Sequence, residues 1–226
     1  MVRTGSRIVI VGNGPVPDGA ASAIASADFV IRFNDCRSFR PGERTDVVAV
    51  CNTGRPGKAM LGLEKAPATD AATRSTAWMA HEAVRDAGAV WCVRDPALFA
   101  ALRVPLSITH PELDDFCDDV TDAFQAFAVA NGKTCRVLEA ETQRFVEAAL
   151  GGFSPAPYVV PSSGVVVIAD VLGAFPTADI ALAGFSHQGW DGHPFAAEAR
   201  LVDRWVADGR LRRLGALTTV SQAVGS

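Results

Sequence analysis

Four places along the chain carry side chains able to do chemistry. The first is Gly-Asn-Gly-Pro at 12–15, where the apolar β-type run RIVIV stops abruptly. Gly12 and Gly14 let a backbone come close to a ligand. The Asn13 amide can donate to a phosphate or ribose oxygen and accept from a hydroxyl. Asn34 closes the next such run, DFVIRF, with the same repertoire. Asparagine after a strand is also a common turn residue, so neither amide decides the matter alone. The third place is Pro-Ser-Ser at 161–163, directly ahead of an apolar run of helical type. Ser162 and Ser163 can cap that helix, and their hydroxyls with the free N–H groups suit an anion or a pyrimidine edge. Taken alone, a plain N-cap is the better explanation of these serines.

The fourth place is the segment GFSHQGWDGHPFAAEARLVDRW, which holds His187 and His193 in a glycine-rich loop after a strand. Pro194 suits a first helical position, which makes His193 the expected cap residue. The positive end of a helix dipole favours the neutral imidazole, hence a base at neutral pH. Glu198, near the first turn, pulls the other way by favouring imidazolium once a proton has been taken. Two solvent-exposed loop histidines are the plain alternative. Zinc is disfavoured, because neither a cysteine nor a third histidine lies near in sequence.

These positions need elements to hold them. Residues 7–12, 28–34, 46–52 and 89–93 read as strands, with an alanine-rich helix over 18–27. A helix-rich middle runs from about 111 to 150, in which Val120, Phe124, Phe127 and Ala128 form one stripe that ends at Gly132. An apolar helix follows at 161–175, a strand at 179–185, and a helix from Pro194 to Asp208 with Ala197, Leu201 and Trp205 on one stripe. Strands apolar on both faces and alternating with helices predict an α/β fold. That fold is a single Rossmann-like domain over 1–226, a mostly parallel sheet with helices on both faces. The weakly periodic stretch 56–76 suits either a mobile loop over the site or an ordinary connection, and 214–226 suits a flexible tail. In an open parallel sheet, ligands bind beyond the carboxyl ends of the strands, where the first two places, Gly12–Gly14 and Asn34, fall.

Composition narrows the partners. With 49% hydrophobic and 20% charged residues and a net charge of -4, the 226-residue chain gives no reason to expect nucleic acid. No leader is evident, and the run 164–175, broken by Asp170, is too short for a membrane span. The 5 cysteines are odd in number and form no Cys-x-x-Cys, which fits a reducing cytoplasm. A dinucleotide fingerprint needs a third glycine where Pro17 stands, although Asp35 lies near the place of a ribose-binding acid.

Taken in order, VGNGP, ADFVIRFN, PSSG, IALAGF and the His-x4-Glu of HPFAAE resemble the family 29 glycosyltransferases, the animal-type sialyltransferases. The first pair is similar to that family's large motif (VGNSG…DFVLRMN) and the second to its small motif (PSTG…VDLYGFG). The matched segments cover roughly residues 7–55 and 160–200. The resemblance extends to a small bacterial branch, some of whose members carry a urease-operon accessory label. It implies a GT-A-like variant of the fold and roles for particular positions. Asn13 and Asn34 would hold the phosphate and ribose of a CMP-sugar, within the loop of Gly12 and Gly14. Ser162, Ser163 and Gly164 would contact the cytidine portion. His193 would be the general base, supported by Glu198, and His187 would bind the departing phosphate. No metal or other cofactor is implied. The family's disulfide has no counterpart, since Ile8 occupies one position and 164–176 hold no cysteine; Val160 replaces the tyrosine expected before PSSG.

The leading expectation is therefore a cytoplasmic, metal-independent inverting glycosyltransferase. It would move an acidic sugar, sialic acid or Kdo, from a CMP-sugar donor to a glycan or small-molecule acceptor. A non-catalytic nucleotide-binding accessory protein that keeps the fold is the second expectation, and an NAD(P)-linked enzyme the third.

Overall fold

A computed structural model describes residues 5–63 and 77–215. Seven strands form one sheet: β1 (Arg7–Val11), β2 (Phe29–Phe33), β3 (Val47–Val50), β4 (Ala89–Cys92), β5 (Thr134–Val137), β6 (Asp179–Ala183) and β7 (Arg212–Arg213). Their order is β5-β4-β3-β2-β1-β6-β7, and every pairing is parallel. The helices are α1 (Ala21–Ala25), α2 (Gly54–Leu61), α3 (Glu82–Asp86), α4 (Pro96–Thr109), α5 (Thr121–Ala130), α6 (Ala140–Gly151), α7 (Ser163–Ala174) and α8 (Phe195–Ala207).

The sheet divides its side chains by the two-residue period of a strand. Ile8 and Ile10 of β1 face a core shared with α6, α7 and α8, where Val166, Ile168, Val146 and Leu201 are all at most 1% exposed. Val9 and Val11 face the other side, against Ala20, Ile24 and Ala27. Further along that side, Val48, Val50 and Val90 pack on Met60, Phe124 and Ala128. Helices thus cover both faces, as strands apolar throughout require.

Several boundaries differ from the sequence expectation. The helix expected over 18–27 is a 3-10 turn, Asp18–Ala20, followed by five-residue α1. The stripe on α5 is present, and Gly132 after it has φ of +65°. α4 and the edge strands β5 and β7 were not expected. The start of the weakly periodic stretch, up to Leu61, belongs to α2, while 64–76 lie outside the described residues. Of the expected tail, Leu214 is tied by its N–H to the Leu182 carbonyl at 2.7 Å, and 216–226 lie outside the described residues.

The strand order has a reversal point. From β1 the chain builds outward through β2 to β5, then returns to place β6 on the other side of β1. A crevice opens beyond the carboxyl ends at such a point. α7 leads back to the start of β6 and α8 leaves its end, so the N-termini of both helices lie at that same end of the sheet. No described helix is long and apolar enough to cross a membrane.

Candidate functional site

The ten residues singled out in the sequence line one cleft of about 510 Å³ at this reversal point. The β1 loop supplies Gly12, Asn13 and Gly14, the β2 end Asn34, and the start of α7 Ser162, Ser163 and Gly164. The β6 loop and α8 supply His187, His193 and Glu198. A second basin of about 360 Å³ adjoins it and shares Asn34, Ser163, Trp190 and His193 as common walls.

The two glycines serve the neighbouring loop. A Cβ on Gly12 would stand 2.4 Å from the Gly184 carbonyl oxygen, and one on Gly14 2.8 Å from the same atom. Gly184 itself has φ of +67°. The Gly12 and Gly14 N–H groups donate to the Ala183 and Gly184 carbonyls at 2.8 and 2.9 Å. Their amides are therefore committed to the sheet and are not free for a phosphate. The helix expected to offer further N–H groups after this loop is only the short α1.

Asn13 joins the first two strand ends. Its Nδ2 donates to the Phe33 carbonyl at 3.2 Å and to Asp35 at 3.0 Å, and its Oδ1 accepts the Arg37 N–H at 3.0 Å. Asn34 sits at φ of +47°, a left-handed conformation that asparagine tolerates better than most residues. Its Oδ1 accepts the Cys51 N–H at 2.8 Å and its carbonyl accepts the Trp78 indole N–H at 2.8 Å. The Asn34 Nδ2 has no protein partner among the described residues, which leaves two amide hydrogens for a ligand.

Ser162 is the N-cap of α7, accepting the Val165 N–H. Glu198, 1% exposed, takes the Ser162 N–H on one oxygen and the Ser162 hydroxyl on the other, each at 2.6 Å. Burial raises the Glu198 pKa, and the two Ser162 bonds oppose that rise. Glu198 was expected to act on the imidazole of His193; instead its carboxylate is spent on fixing the serine loop. Ser163 stands next along α7, and its hydroxyl has no partner among the described residues. A Cβ on Gly164 would lie 2.9 Å from the Phe185 ring, so the absent side chain there admits an aromatic wall.

His193 was expected to cap α8, yet the cap is Pro194. The imidazole is drawn away from the helix by the Val160 carbonyl, 2.8 Å from Nδ1. A carbonyl can only accept, so Nδ1 carries the proton and Nε2 keeps its lone pair. Nε2 has no partner among the described residues. The ring stands edge-on to Trp190 at 4.9 Å and to Phe195 at 5.4 Å. Burial lowers its pKa to about 4; the Val160 bond opposes the shift and the Arg94 charge adds to it. His187 is also held neutral. Arg213 donates to its Nε2 at 3.1 Å, which puts the proton on Nδ1, and burial with the Arg213 charge lowers its pKa.

The His193 shift has a consequence for stability. Its folded pKa, about 4, lies below the ordinary value of 6.5, so the unfolded chain binds the proton first. The contribution is complete above pH 6.5 and declines as pH falls towards 4, by of order 3 kcal/mol. Urea titrations from pH 7 to 4 should therefore show a shallower loss of stability for His193→Asn than for the parent protein. Parallel curves would show that the shift is absent.

Sequence reasoning missed Arg94, which follows β4 and lines the second basin. Only 3% exposed, it donates from Nη1 to the Pro161 carbonyl at 3.0 Å and receives no carboxylate within ion-pair range among the described residues. A charged residue directly after the apolar run 89–93 was the available signal, since that is where strand ends meet ligands. Among the described residues no group of three or more metal-ligating side chains occurs.

No protein-family model matches the chain. A solved structure of the sialyltransferase CST-II in complex with CMP is similar at 15% identity and a TM-score of 0.46, over 92% of this chain and 81% of that one. The urease operon 23 kDa accessory protein of Rhizobium meliloti (strain 1021) is 53% identical over 216 residues, an alignment that spans 94% of each chain. An identity of that depth over that length is decisive: the chain belongs to the family of the urease operon 23 kDa accessory protein.

Proposed function

We propose that the chain is a metal-independent inverting glycosyltransferase that uses a CMP-activated acidic sugar, sialic acid or Kdo. One observation carries the reading. Motif residues more than a hundred positions apart, Asn13 and Asn34 from the first half and Ser162 to Glu198 from the second, meet in one cleft at the sheet's reversal point. In this reading Asn34 Nδ2 holds the ribose or phosphate, and Ser163 with the free amides of the first turn of α7 receives the cytidine. His187 Nδ1–H donates to the phosphate. His193 Nε2 takes the proton of the acceptor hydroxyl as that oxygen attacks the anomeric carbon and CMP departs from the opposite face. The fixed Nδ1–H tautomer aims the lone pair before substrate arrives. An anionic donor offsets the field of Arg94 and raises the basicity of His193 as it binds.

The second reading is a nucleotide-binding accessory protein that has kept the site without turnover, favoured by the accessory name of the relative that is 53% identical. Release of CMP from CMP-sialic acid and CMP-Kdo, with and without a panel of glycoside acceptors, separates the two. The glycosyltransferase reading predicts release accelerated by an acceptor. CMP binding with no release from either donor establishes the accessory role instead.

A further inference from the structure

We infer that the second basin is the acceptor site and that it takes a hydroxylated carboxylic acid, a uronic or other sugar acid, whose carboxylate is held by Arg94. The identification of the acceptor as the occupant rests on the proposed glycosyl transfer; the carboxylate site itself does not.

The basin is built to receive an anion. Three donors on its walls lack protein partners among the described residues: Asn34 Nδ2 and the Ser163 hydroxyl, on the wall shared with the nucleotide, and Arg94 Nη2, on a wall that belongs to this basin and not to the larger cleft. Arg94 is the strongest of them. Its Nε is fully buried without a hydrogen bond, its Nη1 has one carbonyl, and its guanidinium rests over the Phe99 ring at 5.0 Å. A buried cation with unfilled donors is costly, and a carboxylate accepting in the guanidinium plane relieves that cost.

The nearby carboxylates are hydrogen-bonded or paired elsewhere, and among the described residues none lies within ion-pair range of Arg94. Glu198 spends both oxygens on Ser162. Asp115, also on the basin wall, is already paired with Arg55 at 3.2 Å and Lys58 at 3.6 Å. One buried guanidinium suits a single negative charge better than the double charge of a phosphate, and Arg55, the other cation on the basin wall, is already paired with Asp114 and Asp115.

The remaining walls fit a sugar ring. Trp190 lies between the His193 imidazole and Phe116, whose ring is 5.5 Å away, and offers an apolar face. His193 belongs to both basins. With the donor in the larger basin, an acid held on Arg94 presents a ring hydroxyl to Nε2. The transfer then balances: the acceptor oxygen bonds to the anomeric carbon, the carbon–oxygen bond to phosphate breaks with its electrons on CMP, and the hydroxyl proton ends on His193.

The test is a ligand-observed NMR titration of the full chain with D-glucuronate, its neutral methyl ester and inorganic phosphate, with CMP titrated separately. Glucuronate should bind roughly ten- to a hundredfold more tightly than the ester, and Arg94→Met should erase the difference. Equal affinity for acid and ester, no binding of either, or tighter binding of phosphate would overturn the assignment. If Arg94→Met does not fold, the acid–ester comparison on the parent protein decides. CMP binding without acid binding sinks this inference alone. Acid binding without CMP binding sinks the CMP-sugar reading and leaves the carboxylate site standing.

Discussion

His193→Ala should lower the rate of the proposed sugar transfer by about 10²–10⁴-fold, the usual worth of a positioned base, with CMP affinity nearly unchanged. The expectation follows from what each ring nitrogen does. Nδ1–H is occupied by the Val160 carbonyl, so the side chain cannot rotate to offer the other tautomer without breaking a buried bond. Nε2 is therefore the one atom of the ring that can accept a proton from substrate. Burial and Arg94 hold the free imidazole neutral, so the base is fully available at pH 7. Removal of the ring leaves Asn34 and Ser163 in place, and these are the groups assigned to the nucleotide. Steady-state rates and a CMP titration on the same preparation check both halves. A loss of CMP affinity equal to the loss of rate would mean that His193 holds the donor and is not the base.

The largest expected effect on stability comes from Glu43→Ala, about 3–5 kcal/mol. Arg32, in the middle of DFVIRF, is 0% exposed, and Glu43 meets its Nη2 at 2.5 Å. Thr45 accepts from Nε at 3.1 Å, Nη1 has no hydrogen bond, and the Phe39 ring lies 5.2 Å from the guanidinium carbon. Burial pulls the Arg32 pKa down and the Glu43 charge opposes that. Without Glu43 the cation stays buried with one hydroxyl for company, and that uncompensated charge sets the size of the loss. Glu43→Gln keeps an acceptor and should cost distinctly less. Equilibrium urea unfolding of the two variants measures the difference; equal and small losses would show that Arg32 finds solvent. Arginine in this motif is therefore a structural ion pair that anchors β2, so the loss should appear in stability before it appears in ligand binding.

The central strands were legible because each is buried on both faces and reads as an apolar run, broken only by Arg32 in β2. Their order was not, since parallel pairing leaves no local signature in the sequence. β5, with alternate residues Thr134 and Arg136 exposed, and the two-residue β7 are edge strands too short or polar to stand out. α4 carried a readable start, Asp95 capping ahead of Pro96, but its apolar residues lack a clean stripe and Pro105 interrupts it. The candidate site was legible as a set of residue types at strand ends and helix starts. What those residues bond to was not. Glu198 reaches 36 positions back to Ser162, and His193 reaches 33 back to Val160. Gly12 and Gly14 answer to Gly184 across the sheet. Arg94 stayed hidden because its exposure and its unfilled donors depend on β4 and Pro161 coming together in the fold.

Calorimetric titration of the protein with CMP and, separately, with NAD tests the central claim most directly. The account predicts that CMP binds at one site per chain, that Asn34→Ala weakens it, and that NAD gives no heat of binding. Binding of NAD in the absence of CMP binding would contradict it and return the cleft to the dinucleotide-binding folds.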